Sequence, residues 1–580
     1  MSIDRNRARN FYIFNKRWIV WTMVLAITVV CVFCVKLFYA IILYSPDDWM
    51  FEALLSGKFT GEPCPYLYFQ KFPFSSIISN LYNINGTIPW YSIMLLGGVS
   101  ISFFLVVERI IIIEDVQLWI RICFSVLLFG ILFVNQFVFV EWTRTAGCIL
   151  AAALFRLITV DINKTKWGRC IDLLSIVGLL FWCFCLRHTI FLMGSPFLAL
   201  SILVLTLKYR KQKSHFELIS IWVFVIVTIF GVCGCSFLHA KAYDSDEWKA
   251  YDEYTNNRSV LMDLYGFPDY DEHKELYEEL GISRSAYELL SARCYIIPED
   301  EFSEKNIARL AEVAKTDNKE SLQERANTAY NLALKSLKTS TLFAIRIFTI
   351  FTAFGVIFCV KKWYTIVWLL GGVGIAGLLL WYGRFPMYVE LSLFLILLLG
   401  ELAFAINNGC RRKELAKNRK NIVKIAMSLI ALTCFIISNI NLYNVNTIKC
   451  EDVVTKDKLI KYARKHPDNI YIRDFYYSQL PEGLFDPDYY WSDNYVSSGG
   501  WGNKTPPYEI FEERLGITSI NNYLDENGEI YYLIPKSVAK KFYYSLKQYF
   551  DEKRNDIEIK RICKIKNTNG DIAVYRISVK

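Results

Sequence analysis

The fold is decided by residues 18–52, which read WIVWTMVLAITVVCVFCVKLFYAIILYSPDDWMFE. The stretch before Ser45 holds a single charged residue, Lys36, and is long enough to cross a hydrocarbon core of ~30 Å as a helix. It is longer than the apolar core of a signal peptide and lacks a small-residue cleavage site, so it predicts a retained anchor. The basic residues before it are Arg5, Arg7, Arg9, Lys16 and Arg17.

Similar apolar runs recur along the whole chain. Of its 580 residues 54% are hydrophobic and only 21% are charged, which excludes an ordinary soluble multidomain protein. The runs predict about eleven transmembrane helices. Their approximate positions are 18–44, 89–113, 118–138, 143–160, 171–186, 190–207, 216–238, 341–360, 363–382, 386–406 and 422–442. The predicted fold class is therefore an α-helical polytopic membrane protein.

Basic clusters in the short connections predict the orientation. With the basic N-terminus inside, every strongly basic short loop falls on the same side, as the positive-inside rule requires. These clusters are Lys164/Lys166/Arg169, Lys208–Lys213, Lys361–Lys362 and Arg411 to Lys424. They account for the net charge of +9 without a nucleic-acid partner. We expect a multi-pass plasma-membrane protein with a cytoplasmic N-terminus and an extracytoplasmic C-terminal domain.

The layout predicts four units along the chain. Residues 1–238 form a membrane module with a first outside loop at 45–88, and residues 239–340 form a helical extracytoplasmic loop. Residues 341–444 form a second membrane module, and residues 445–580 form a small extracytoplasmic α/β domain that ends in a hairpin turning at Asn569–Gly570. A disulfide between Cys450 and Cys563 and two free thiols are both compatible with the sequence.

An acidic pair, Asp47-Asp48, directly follows the first helix and is followed in turn by Trp49. A carboxylate at the membrane–water boundary can take a proton from an acceptor hydroxyl, or it can hold a divalent cation such as Mg or Mn. The alternative is a helix end whose charges simply face water. A P-loop, which would indicate an ATP-driven pump, and zinc-type Cys/His spacing are both absent from the sequence.

Three short outside connections each carry an arginine, where the positive-inside rule disfavours it. Arg144 follows Glu141, Arg187 precedes His188, and Arg384 follows Tyr382-Gly383. Guanidinium groups bind phosphate through forked hydrogen bonds and stabilise a departing phosphate oxyanion. The repetition favours binding of a lipid-linked phosphate at the outer leaflet. The alternatives are snorkelling to headgroups and, for Arg144, pairing with Glu141.

Aromatic residues form 16% of the chain and cluster in the C-terminal domain at Tyr489, Tyr490, Trp491 and Trp501. Flat aromatic faces suit sugar rings, although core or interface roles are equally compatible. The acidic triplets at 244–246 and 486–488 match the pattern of nucleotide-sugar enzymes. Two chance matches in one chain give that pattern little weight.

Together these features resemble the GT-C superfamily of membrane glycosyltransferases, which carry an acidic pair or triplet in the first extracytoplasmic loop. The stretches 47–63 and Trp381–Arg384 are also similar to uncharacterised bacterial membrane proteins associated with surface polysaccharides. The resemblance implies an inverting transfer of a hexose-type sugar from a polyprenyl-phosphate carrier. Because the chain lacks a WWDYG-type signature, transfer to protein asparagine is disfavoured.

The resemblance also implies roles for individual residues. Asp47 or Asp48 is expected to be the base, with the other orienting it or binding a metal. The donor phosphate is expected to meet Arg384, Arg187, Arg144 and His188, and Trp49 and Tyr382 are expected to contact substrate.

Three alternatives stay open at this point. A polysaccharide polymerase or ligase would use the same site with an oligosaccharide donor. A transporter or flippase for lipid-linked glycans is disfavoured by the lack of inverted repeats and interrupted helices. A non-catalytic envelope scaffold is the third.

Overall fold

The structure is a computed structural model. It describes the backbone of residues 2–113, 116–162, 165–318, 321–408, 417–484, 491–517, 519–554 and 556–580, and their side chains except at 2–17, 162, 417–427 and 527. Lys164, Arg411, Tyr489, Tyr490 and the triplet 486–488 therefore lie outside the described residues.

The first half of the chain is a bundle of long helices joined by short connections. Its elements are α1 (Ser2–Phe38), β1 (Ile42–Leu43), α2 (Pro46–Leu55), α3 (Phe72–Ile84), α4 (Trp90–Ile112), α5 (Leu118–Leu128), α6 (Val134–Val138), β2 (Phe139–Val140), α7 (Trp142–Ile158), α8 (Lys166–Leu186), α9 (His188–Lys211) and α10 (His215–Ala242). A π-helical turn, Phe129–Phe133, joins α5 to α6.

The first helix is shorter than predicted. It ends at Phe38 rather than near Tyr44, and Ile42–Leu43 instead form β1. This strand pairs in parallel with β2 and antiparallel with β4 (Glu482–Gly483) of the C-terminal region. The three-stranded sheet fixes the start of α2 against both α7 and the C-terminal region.

A helical segment and three more long helices follow. They are α11 (Asp246–Ser259), α12 (Lys274–Glu279), α13 (Arg284–Ser291), α14 (Glu304–Asp317), α15 (Leu322–Leu337), α16 (Ser340–Val360), α17 (Trp363–Trp381) and α18 (Met387–Asn407). A capping box of Ser321 and Glu324 starts α15, which feeds directly into α16.

The last long helix, α19 (Lys417–Arg464), has 48 residues. The predicted span near 422–442 and the predicted helix at 458–465 are parts of this one element. Its sequence contains neither glycine nor proline, so nothing in the backbone ends the helix where it leaves the apolar region. The C-terminal domain is thus attached through a continuous helix.

The C-terminal region folds around a five-stranded mixed sheet in the order β5-β3-β6-β8-β7. Its elements are β3 (Tyr471–Arg473), α20 (Phe475–Ser478), β4, β5 (Tyr495–Ser497), α21 (Pro506–Leu515), α22 (Ile520–Asn527), β6 (Glu529–Pro535), α23 (Lys536–Lys553), β7 (Ile557–Ile565) and β8 (Ile572–Val579). β7 and β8 form the predicted terminal hairpin, with Gly570 at φ +102° in the turn. Cys450 and Cys563 are both free thiols.

Within the described residues, ten helices are long and apolar enough to cross a membrane. The fourth predicted span corresponds to α7, which has 17 residues, all of them buried. The structure therefore confirms a polytopic helical membrane protein with small sheets near its C-terminus. At one end of the bundle, Glu108, Arg109, Arg156 and Asp172 form a buried ion-pair network between α4, α7 and α8. The candidate site lies at the opposite ends of α4 and α7.

Candidate active site

The acidic pair lies in the first turn of α2. Ser45 caps this helix in an extended conformation, its Oγ accepting a hydrogen bond from the Asp47 amide at 3.2 Å, and Pro46 occupies the first helical position. Successive residues of an α-helix point about 100° apart, because one turn takes 3.6 residues. The carboxylates of Asp47 and Asp48 consequently face different surroundings.

Asp47 lines a cavity of about 280 Å³ between the helical bundle and the two polar regions. Its Oδ1 accepts a hydrogen bond from Trp501 Nε1 at 2.9 Å. Burial raises the pKa of Asp47, while the Trp501 hydrogen bond and the charge of Arg187 act in the opposite direction. Asp47 is therefore a half-buried carboxyl, held in place by the C-terminal domain, with a basicity above that of an ordinary aspartate.

Asp48 faces the protein interior and is fully buried. Its Oδ1 accepts from the Tyr91 hydroxyl at 2.6 Å, and its Oδ2 accepts from the Trp142 amide at 3.3 Å. Burial, followed by the nearby charge of Glu141, raises the pKa of Asp48 well above its usual range. Of the two predicted acids, Asp48 holds α2 against α4 and α7, and Asp47 is the one that reaches the cavity.

Glu141 is a cavity residue that sequence reasoning considered only as a partner for Arg144. It is 3% exposed, lines the same cavity as Asp47, and stands at the N-cap position of α7 without a capping hydrogen bond from its side chain. Burial raises the pKa of Glu141 to about 7, although the adjacent Arg144 opposes the shift. The signal was available in the sequence, since an acid directly precedes a span on the predicted outer side.

Two of the predicted arginines, Arg187 and Arg384, line the cavity. The Arg187 guanidinium lies 4.1 Å from the ring centroid of Trp142. Burial lowers the pKa of Arg187, whereas Tyr388, Asp47 and Glu141 favour its charged form. Within the described residues, neither arginine has a carboxylate within 4 Å of its guanidinium nitrogens, so both guanidinium groups are available to an anion.

The other predicted residues lie elsewhere. Arg144 is 1% exposed and is held by Glu141, with Nε 3.2 Å from Oε2, and by Asn135, so it takes the pairing alternative. His188 does not line the cavity and has Lys71 among its charged neighbours. Tyr382 is 69% exposed and also lies outside the cavity lining.

Trp49 lines the cavity on the side of the C-terminal domain. Its ring stacks on Trp491 at 5.6 Å and lies 4.2 Å from the Arg473 guanidinium. The loop that carries Trp501 packs closely here, because a Cβ on Gly502 would approach Met50 Cε to 2.6 Å. A side chain at position 502 would therefore need the flexible end of Met50 to move.

The complete cavity is built from distant parts of the chain. Its charged lining residues within the described part are five arginines and three carboxylates, an excess of two positive charges when all are ionised. They are Arg187, Arg258, Arg293, Arg384, Arg473, Asp47, Glu141 and Asp263. Sequence reasoning missed Arg258, Arg293 and Arg473, because each lies in an ordinary polar segment.

A metal centre at Asp48 has little geometric support. Both of its carboxylate oxygens already accept hydrogen bonds, from Tyr91 and Trp142. Among the residues that the structure describes, no group of three or more His, Cys, Asp or Glu side chains could hold a metal ion.

Neither a protein-family model nor a curated protein matches the chain. Seven chains of solved structures match, among them crystal structures of ArnT from Cupriavidus metallidurans. The form bound to undecaprenyl phosphate is 12% identical with a TM-score of 0.39, and the alignment covers 96% of this chain and 98% of that chain. The apo form is 12% identical with a TM-score of 0.41, covering 96% and 97%.

The alignments with ArnT run along nearly the whole of this chain. At this identity and TM-score, the ligands of ArnT establish nothing about the ligands of this chain. The chain is a multi-pass membrane protein, with ten helices among its described residues that are long and apolar enough to cross a membrane.

Proposed function

We propose that this protein is a membrane glycosyltransferase that moves a sugar from a polyprenyl-phosphate carrier to a hydroxyl of a cell-surface glycan. The observation that carries the proposal is the convergence of Asp47, Arg187 and Arg384 on one cavity at the end of the helical bundle. The three residues come from three separate connections, all on the side predicted to be extracytoplasmic. An acid beside two available guanidinium groups is the arrangement that glycosyl transfer from a phosphate donor requires.

Asp47 is the proposed base. Its raised pKa lets the carboxylate take a proton more readily than a solvated aspartate would, and the Trp501 hydrogen bond orients it. The acceptor O–H proton passes to Asp47, and the acceptor oxygen bonds to the anomeric carbon. The bond from that carbon to the phosphate oxygen breaks, and its electron pair leaves with the polyprenyl phosphate. Attack opposite the leaving group inverts the anomeric configuration.

Arg187 and Arg384 are proposed to hold the donor phosphate. The phosphate gains negative charge as the glycosidic bond breaks, and guanidinium groups placed at that oxygen stabilise the transition state more than the bound donor. The guanidinium of Arg187 packs on the Trp142 ring, a cation–π contact that supports its position in the cavity wall. Gly383 adopts φ +70° directly before Arg384, in the left-handed region that glycine favours.

Glu141 supports the same chemistry from the membrane side of the cavity. It lies near Asp47 and Arg187, and its negative charge contributes to the raised pKa of Asp48. With a pKa of about 7, Glu141 is also the second candidate for the base. Asp47→Asn and Glu141→Gln distinguish them, because only loss of the true base abolishes transfer while donor binding persists.

The experiment is incubation of purified protein in lipid nanodiscs with radiolabelled polyprenyl-phosphate hexoses and extracted surface glycan, followed by product analysis. Labelled glycan from wild-type protein, and none from Asp47→Asn, is the expected result. Arg561→Gln is the matched control, since Arg561 is exposed on β7 and does not line the cavity. Movement of the intact lipid-linked sugar across reconstituted vesicles without any covalent product would instead establish a flippase.

A polymerase or ligase is the second candidate, and a neighbouring groove favours it. A groove of about 1460 Å³ between α13 and the C-terminal sheet shares Phe475 and Gln479 with the cavity. Such a groove has room for several sugar rings of a growing chain. Supplying monosaccharide-linked and oligosaccharide-linked carriers side by side separates the two functions, because a polymerase transfers the oligosaccharide.

A further inference from the structure

The cavity wall formed by the C-terminal domain carries polar side chains that the proposed reaction does not use. Arg473 is 1% exposed, and Tyr495 and Tyr508 are each 4% exposed, yet all three line the cavity. Arg473 ends β3 and Tyr495 begins the parallel neighbour β5, two positions out of register on the same face, and the guanidinium reaches to 5.1 Å from the Tyr495 ring. Tyr508 comes from α21. Three elements of one domain thus contribute polar groups to the same surface.

Several polar atoms of these side chains lack a partner at close hydrogen-bond geometry. Within the described residues, Nε and one terminal nitrogen of Arg473 and the hydroxyl groups of Tyr495 and Tyr508 are buried and have no partner of hydrogen-bond geometry. The Tyr495 hydroxyl interacts with Arg473, whose guanidinium lies 5.1 Å from its ring, and the Tyr508 hydroxyl interacts with Asn503. Buried polar groups in proteins are nearly always paired, so the unpartnered guanidinium nitrogens of Arg473 indicate a site for a ligand.

The donor character of the cluster defines the ligand. A guanidinium can only donate hydrogen bonds, and a phenol that has no acceptor beside it can donate as well. Glu482, the carboxylate that acts on Arg473, already forms an ion pair with Lys456, while Glu512 and Glu299 are the carboxylates near Tyr508. Trp49 and Tyr495 hold the guanidinium of Arg473 from two sides, at 4.2 and 5.1 Å from their ring centroids. What is missing is a compact group rich in acceptors, such as a phosphate or a carboxylate.

We propose that Arg473, Tyr495 and Tyr508 form a second oxyanion subsite, which binds a phosphate or carboxylate group carried by the acceptor glycan. The subsite rests on the proposed function and deepens it, because it makes the acceptor an anionic glycan rather than a neutral one. It lies on the C-terminal wall, whereas Arg187 and Arg384 approach the cavity from the ends of membrane helices, where a lipid-linked donor enters. Phe475 and Gln479 connect this wall to the open groove through which a glycan can reach it.

The first test measures binding of inorganic phosphate to the purified full-length protein in nanodiscs by equilibrium dialysis, without any turnover. Saturating undecaprenyl phosphate is added to fill the donor site. Wild-type protein and Arg561→Gln are then expected to bind one further phosphate, and Arg473→Gln is expected to bind it 10- to 100-fold more weakly, the loss typical of a hydrogen bond to a charged group. Absence of the further phosphate in wild type, or equal affinity in Arg473→Gln, overturns the proposal.

Tyr495→Phe and Tyr508→Phe keep the proposal testable if Arg473→Gln does not fold. Each removes only a hydroxyl and keeps the buried ring, so the fold should persist. Each is expected to lower the affinity for the further phosphate by about 5-fold, the effect of losing one ordinary hydrogen bond. Unchanged affinity in both variants contradicts the subsite.

Two sugar probes then test the link to a glycan. Methyl β-D-glucuronide and glucose 6-phosphate should displace the further phosphate, and whichever is stronger identifies carboxylate or phosphate. Methyl β-D-glucoside should not displace it. If neither charged sugar displaces the further phosphate, or if the neutral sugar displaces it equally well, the subsite does not recognise an anionic group carried on a sugar.

The two proposals can fail separately. Phosphate binding at Arg473 in a protein that transfers no sugar would retain the subsite and remove the proposed function. Sugar transfer by a protein that does not bind the further phosphate would retain the proposed function and remove the subsite. In a protein that transfers, the subsite variants should raise the KM for the acceptor and leave the KM for the donor unchanged, and the opposite result contradicts the assignment to the acceptor.

Discussion

Replacing each member of the acidic pair separately gives the sharpest test of the site. Asp47→Asn replaces the basic carboxylate by an amide whose carbonyl oxygen can still accept the hydrogen bond from Trp501. The geometry of α2 should therefore stay the same. General-base catalysis typically contributes 10²- to 10⁴-fold to a rate. We therefore expect Asp47→Asn to lower kcat by about that factor, with little change in the KM for the donor.

Asp48→Asn is the matched change one residue away. Because burial holds the pKa of Asp48 well above its usual range, asparagine resembles the protonated form of this side chain in shape and charge. The carbonyl oxygen can still accept from the Trp142 amide, and the Tyr91 hydroxyl can rotate to accept from the new amide. We expect a change in stability below about 1 kcal/mol and less than about a 10-fold change in kcat.

The assay is the rate of transfer from a polyprenyl-phosphate sugar by each variant at equal folded concentration, with folding checked by size-exclusion chromatography in detergent. Wild-type kcat should also rise with pH through the raised pKa of Asp47, because only the deprotonated carboxylate can accept a proton. Two results would refute the reasoning: full activity in Asp47→Asn, or a loss in Asp48→Asn as large as that in Asp47→Asn.

Three further predictions concern the same region. Arg384→Gln should raise the KM for the donor and lower kcat, together by about 10- to 100-fold in kcat/KM, while the exposed control Arg561→Gln changes neither constant; equal kinetics in both variants would remove Arg384 from the donor site. Trp501→Phe removes the N–H that lowers the pKa of Asp47, so the acidic limb of the pH–rate profile should move to higher pH, and an unmoved limb would argue against Asp47 as the base. Burial raises the pKa of Glu52 to about 7, whereas a glutamate in the unfolded chain loses its proton near pH 4.5. The free energy of unfolding should therefore fall by about 3 kcal/mol as the pH rises between these two values. Glu52→Gln should flatten this pH dependence of the apparent Tm, and an unchanged slope would contradict the buried, protonated state.

Much of the membrane architecture could be predicted from the sequence, because the thickness of the hydrocarbon core imposes a length on each apolar run. The predicted span at 363–382 is the helix Trp363–Trp381, and the one at 386–406 is Met387–Asn407. The predicted turn at Asn569–Gly570 joins the final two strands for an equally local reason. The continuity of α19 was also present in the sequence, since no residue in it breaks a helix, but the prediction divided it by hydropathy.

The sequence also placed Asp47, Arg187 and Arg384 on one side of the membrane, because the charge bias of short loops reports sidedness. It could not show which of Asp47 and Asp48 reaches the cavity, because this depends on which carboxylate accepts the hydrogen bonds of Tyr91 and Trp142. It could not distinguish Arg144 from Arg187 either, because only the folded structure shows that Arg144 pairs with Glu141 while Arg187 lines the cavity.

Only the tertiary structure assembled the cavity itself. The hydrogen bond that orients Asp47 comes from Trp501, 454 residues away, and the cavity arginines come from both membrane modules and both polar regions. A lipid bilayer requires each membrane-spanning segment to be apolar and long enough by itself, so the requirement is visible in the local composition of the sequence. A polar cavity between domains depends on contacts between distant segments, and a single sequence carries no local record of which of its charged residues will meet there.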